Sequence, residues 1–338
     1  MTRYGIRRRQ YRGLPIDRKR HEAHEIRSVR AVSHGLLPNE RDRDMRNVSL
    51  KRWRKDGTYF LFVLPALVLF FIFFIFPFIQ SIYYSFTNLY GYNTHLKFIG
   101  FSNYLEAFKD ENFLTTLAVT FKYSVFVIIL GNALSLMLAL ALDTNIHGRD
   151  FIRTVFFLPN VMSLIIVGFV WTFIYGDVFR SLMELSGLPL QVSWLGNESI
   201  AIYSIGITAI WQSAGYAMII YIAGLQNIPQ DIIEAANIDG ADIKNVFFRI
   251  KLPFLSPVIV MNLILAATSC LKAFDFPLAM TSGGPGYATT TIALYIYTVG
   301  FRMQRTGYAT ALSILLFFII AFITVLFMNF QRKREEVL

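Results

Sequence analysis

The sequence predicts an all-α, polytopic membrane protein with six transmembrane helices. Three observations carry this. Of 338 residues, 55% are hydrophobic and 16% charged, giving a mean hydropathy of +0.48, whereas an average soluble domain has about 25% charged residues. Phenylalanine occurs 32 times. The apolar residues fall in blocks of about twenty or more, the length a helix needs to cross a hydrocarbon core.

Residues 1–57 read as a basic cytoplasmic tail. They hold 17 Lys/Arg against 7 Asp/Glu, so the whole net charge of +10 sits there. The clusters Arg7-Arg8-Arg9, Arg18-Lys19-Arg20 and Lys51-Arg52-Trp53-Arg54-Lys55 suit anionic lipid headgroups, and the tail is expected to be disordered. Nucleic acid is not an expected partner, because no folded motif accompanies the charge. The tail is too long and too acidic for a secretory signal. His21 and His24 within it are a solvated pair or, less favourably, a metal site; no metal ligand set is expected.

The six spans run over roughly Thr58–Phe86, Leu117–Leu142, Thr154–Tyr175, Ile200–Leu225, Pro257–Ala279 and Tyr308–Phe330. Pro65, Pro77 and Pro159 lie inside them, which neighbouring helices can accommodate. Residues 58–112 comprise the first span and a segment, Gly100 to Phe113, with helical alternation that predicts an interfacial amphipathic helix. Residues 331–338 form a second short cytoplasmic tail. With the N-terminus inside, 25 of the 32 basic residues fall on the inner side, 6 outside and Lys272 within a span, so both termini are expected in the cytoplasm. The single cysteine, Cys270, excludes an internal disulfide and is expected to pack.

The inner segment from Gln226 to Ser256 is the most informative stretch. Pro229 suits a first helical turn, with Asp231 and Glu234 near the N-terminal dipole. Ala235 and Ala236 are small enough for close approach of a partner. Asp239-Gly240 ends the helix at a residue free to turn left-handed. Asp242 can cap a second short helix through about Ile250, which Pro253 is expected to end. The result is a helix–turn–helix that serves either as a plain connector or as a dock for another protein.

The string Glu234-Ala235-Ala236, Asp239-Gly240-Ala241, Ile250 and Pro253 resembles the EAA loop of binding-protein-dependent ABC importer permeases. Further features resemble the maltose and glycerol-3-phosphate type of sugar permease: Ala223 to Pro229, Phe274-Asp275, the turn Thr281 to Pro285, Thr289-Thr290-Thr291, Phe76-Pro77, and Gly100 with Asn103-Tyr104. The resemblance covers about Phe113 to Phe330, which it marks as the type I importer transmembrane domain (113–330). It says nothing of the basic tail. It implies half of a translocation path for a sugar or oligosaccharide, a second homologous permease, two ATPase subunits and an extracytoplasmic solute-binding protein. It also implies that Glu234, Ala235, Ala236, Asp239 and Gly240 couple to the ATPase.

No cofactor and no catalytic residue is expected in this chain. No Gly-Lys dipeptide occurs, so a nucleotide-binding loop is impossible and ATP with its magnesium must sit on the partner ATPase. Ser282 to Pro285 is similar to an ATPase signature but reads as a turn. The rival is an ATP-independent secondary transporter, which needs charges inside the spans. Lys272 and Asp275, three apart on one predicted helix face, either form a mutual salt bridge or line the path. Lys272 also keeps a glycerol phosphate or acidic sugar open as solute. For the path itself the fourth span offers Gln212, Ser213 and Tyr216 beside Trp211, and the fifth offers Asn262, Thr268, Ser269 and Lys272. The opposing account is that Ser and Thr bond back to their own helices and Trp211 anchors an interface.

Overall fold

A computed structural model describes residues 62–91, 96–144, 147–186 and 192–335; the basic tail, His21, His24 and the last three residues lie outside this range. Two compact units are resolved, through Pro77 and from Phe78 onward. Among the described residues the structure is helical, with one isolated bridge between Thr87 and Phe98.

Six helices are long and apolar enough to cross a membrane: α1 (Phe62–Ser85), α3 (Glu111–Leu142), α5 (Leu164–Leu185), α6 (Ala201–Gln226), α8 (Ile243–Leu271) and α11 (Thr306–Glu335). The others are α2 (Ser102–Ala107), α4 (Arg149–Val161), α7 (Gln230–Ile238), α9 (Asp275–Thr281) and α10 (Ile292–Arg302). The chain is thus a multi-pass membrane protein. α6 is the central element, with 61% of its apolar window buried; it packs against α3 on one side and α4 on another, while α8 lies against α3, α6 and α11.

Several predicted elements differ, among them the fifth span, which ends at Leu271 and not at Ala279. The third span does not start at Thr154. α4 stops at Val161, Met162 turns to extended backbone (ψ 147°), and a new helix starts at Leu164. At the break the Pro159 carbonyl accepts from the Met162 N–H at 3.2 Å, and Gln212 of α6 reaches it and the Asn160 carbonyl from outside the helix. The amphipathic segment is shorter than expected, because Asp110 accepts from the Asn112 N–H (3.0 Å) and starts α3 at Glu111. α3 therefore has 32 residues, about 48 Å at 1.5 Å per residue, and overreaches a hydrocarbon core of about 30 Å. Pro253 does not end a helix. A widened turn at Phe247–Lys251 bonds the Leu252 N–H to the Phe247 carbonyl, and this shifted register absorbs the missing Pro253 donor as α8 continues.

At the α2 end, distant parts of the chain meet on one carboxylate. The Tyr295 and Tyr308 hydroxyls donate to Asp110 Oδ2 at 2.6 and 2.8 Å. Beside them Arg305 Nη2 donates to both oxygens of Glu106 at 2.7 Å, and the guanidinium carbon Cζ lies 4.6 Å from the centre of the Tyr308 ring. Burial pushes the Asp110 carboxyl up, but the two tyrosines and the Phe113 and Asn112 N–H groups outweigh it and hold it below the usual range. A depressed folded value stabilises the protein above the ordinary carboxylate range, and that contribution is lost as pH falls through the folded value. Asp110→Ala is expected to destabilise the protein by about 1.5–3 kcal/mol. Thermal unfolding in detergent checks this: the deficit at pH 7 should shrink toward pH 3.

Candidate functional site

The segment after α6 folds as a projecting elbow. Pro229 sits at the N-terminus of α7 with φ −59° and ψ 126°. Ile228 is buried and Ile233 packs on the core of Leu142, Met218, Tyr221, Leu225 and Leu255, seating α7 on α3, α6 and α8. The opposite face is open: Glu234, Ala235, Asp239 and Gly240 are exposed and Ala236 is half-buried. Gly240 takes φ +79°, and the Ala241 N–H closes the turn onto the Ala236 carbonyl at 2.9 Å. Asp242 caps the next helix, accepting from the Asn245 N–H at 2.8 Å. Ile238 and Ile243 flank the turn 86% and 89% exposed.

The side chains predicted for the path come together. Gln212, Ser213, Tyr216, Ser269 and Lys272 all line one cavity of about 650 Å³ between α3, α4, α6 and α8. Gln212 is buried, and its Nε2 donates to the Pro159 and Asn160 carbonyls at 3.5 and 3.4 Å, at the long limit for such bonds. Ser213 bonds back to the Ala209 carbonyl (2.7 Å), as the opposing account holds. Trp211 is half-exposed, meets Trp171 edge-on at 5.6 Å and does not line the cavity; neither does Thr268.

The sequence reading missed several walls. Asn132 and Ser135 face the cavity from α3 and Asn160 from α4. Asn132 accepts from the Tyr221 hydroxyl at 2.8 Å and donates to the Ile128 carbonyl at 2.8 Å. Asn262, which the sequence does offer, lines the cavity and reaches the Ala217 carbonyl at 3.4 Å. The available signal was a lone amide in each apolar run. Lys272 and Asp275 do not share a helix face. α8 ends at Leu271, Lys272 is its C-cap, and Asp275 begins α9. The unwound turn between them is pinned by the Thr291 hydroxyl on the Ala273 carbonyl at 2.6 Å. No ion pair joins the two, and both line the cavity.

The architecture has solved counterparts. A bacterial ABC transporter involved in import of the acidic polysaccharide alginate matches with TM-score 0.75 and 24% identity over 84% of this chain and 98% of its own, which speaks for the fold. Residues 131–336 match the model of the binding-protein-dependent transport system inner membrane component family. The chain belongs to that family. Two relatives place this inner membrane component among permeases. A probable starch degradation products transport system permease of Thermoanaerobacterium thermosulfurigenes is 36% identical over 83% of this chain and 96% of its own. A multiple sugar-binding transport system permease of Streptococcus mutans is 35% identical over 86% and 99%. As an inner membrane component the chain is a transport subunit, with its elbow at one end of the bundle and its polar cavity among the spans.

Proposed function

We propose that the chain forms half of the translocation path of an ATP-driven importer for a neutral sugar or oligosaccharide. The observation that carries this is the cavity lining: the side-chain amides Asn132, Asn160, Gln212 and Asn262 with the rings of Tyr123, Tyr216 and Phe276. Amides and hydroxyls match sugar hydroxyls, and rings offer flat apolar faces to a pyranose. The names of both relatives support a carbohydrate. The elbow from Glu234 to Gly240 is the dock for a separate ATPase that binds ATP and magnesium, and both termini face the cytoplasm. Two ATPase copies, a second permease closing the path and an extracytoplasmic solute-binding protein complete the system.

A second reading rests on Lys272, a cation in the cavity wall that no carboxylate among the described residues pairs. It favours an acidic sugar or a glycerol phosphate, because a lone cation in a low-dielectric path offsets an anion. One experiment decides between them. The reconstituted complex is tested for ATP hydrolysis stimulated by maltose, maltotriose, a uronate oligosaccharide, glycerol 3-phosphate and leucine. Stimulation by the neutral sugars, retained in Lys272→Met, is expected. Stimulation by the anions alone, lost in Lys272→Met, establishes the second reading. Stimulation by leucine alone overturns the carbohydrate assignment.

A further inference from the structure

One polar cluster at the α7 end belongs to neither the elbow's open face nor the cavity. Asp143 closes the C-terminus of α3, and its Oδ2 lies 3.8 Å from Lys251 Nζ, with the side chains 23% and 26% exposed. The carbonyl just before it, on Leu142, accepts from Arg153 Nη2 at 2.6 Å. Arg153 Nη1 reaches Asp150 Oδ1 at 3.2 Å, on a side chain 83% exposed, while Arg153 Nε is buried with no acceptor among the described residues. A buried guanidinium N–H left unpaired is unfavourable, so an arrangement that pairs it gains over the one seen. Asp143 is the carboxylate adjoining the carbonyl that Arg153 already holds.

The two cations ride on different parts. Lys251 ends the widened turn that follows the elbow. Arg153 belongs to α4, whose 13 residues make a rod about 20 Å long. That rod touches α6 backbone to backbone at Gly215 and ends at Asn160 and Met162 in the cavity wall. Such a widened turn within a helix is a common site of local adjustment.

We infer that Asp143 is a positioning residue that passes between Lys251 and Arg153 as the elbow moves, so that the elbow sets the position of α4 at the cavity. This rests on the proposed function above. At 3.8 Å the pair lies beyond hydrogen-bond distance, which suits a contact that must be exchanged in each cycle.

The test uses the whole complex in vesicles with its solute-binding protein, reading both maltotriose uptake and ATP hydrolysed per molecule taken up. Asp143→Asn and Lys251→Met are each expected to raise that ratio about tenfold, within the usual range of coupling between sites, with full recovery of the ATPase in the complex. Asp143→Glu is expected to keep it near wild type. Unchanged ratios in both variants overturn the inference. So does loss of the ATPase from the Asp143→Asn complex, which makes the cluster part of the dock. Full restoration by the exchange Asp143→Lys with Lys251→Asp also overturns it, since a plain ion pair then suffices without Arg153. A wild-type complex that shows no ATP-driven uptake of any solute in the panel instead sinks the proposed function.

Discussion

Replacing Gly215 by alanine is expected to reduce uptake to background while the chain still reaches the membrane. A Cβ there would overlap the Phe156 carbonyl and lie 2.8 Å from Phe157 Cα. Both are backbone atoms, so no rotamer change relieves the clash and α4 must leave α6. Overpacking of this kind destabilises by about 1–3 kcal/mol, occasionally more, and rigid neighbours put Gly215→Ala at the upper end. Function suffers beyond stability, because the bonds from Gln212 to Pro159 and Asn160 depend on the same approach. Gly176→Ala is the control, since its added Cβ meets nothing within 4 Å. Labelled-solute uptake and membrane immunodetection check the pair; wild-type uptake by Gly215→Ala would show that α4 yields freely.

The second large effect belongs to the elbow. Gly240→Trp and Glu234→Lys are each expected to abolish uptake at unchanged membrane level. Gly240 holds a left-handed backbone, which costs a residue with a Cβ about 1–2 kcal/mol, and the open space around it in this chain leaves room for a partner. Glu234→Lys reverses a charge on the exposed face of α7. Recovery of the ATPase with the tagged chain distinguishes a lost dock from a lost path. Wild-type uptake by both variants would reduce the elbow to a connector.

Much of this was legible because it is decided locally. A twenty-residue apolar run announces a span whatever surrounds it, and the elbow's turn follows from Pro229, Gly240 and Asp242, residues with few backbone choices. The break at Met162 was signalled only by Pro159-Asn160 and Ser163, a pattern that a continuous span also tolerates, and it is met by Gln212, some fifty positions away. Lys272 and Asp275 were misplaced for the same kind of reason: the unwound turn is held by Thr291, eighteen residues from Ala273. Pro253 misled because a proline was read as a stop where a widened turn before it takes up the lost bond. In the cavity, sequence reasoning found the walls on α6 and α8 but not Asn132 or Asn160, whose neighbours are ordinary apolar residues.

The carboxylate at the α2 end also bears on how the chain is made. Asp110 is synthesised early, yet two of its partners lie 185 and 198 residues further on, and Thr120 likewise waits 172 residues for the Ile292 N–H. At a synthesis rate of about 5–20 residues per second, the start of α3 stays without these bonds for on the order of ten seconds or more. During that interval the nascent chain must keep a polar, hydrated end for α3, and the α2 end of the bundle closes last, when α11 arrives.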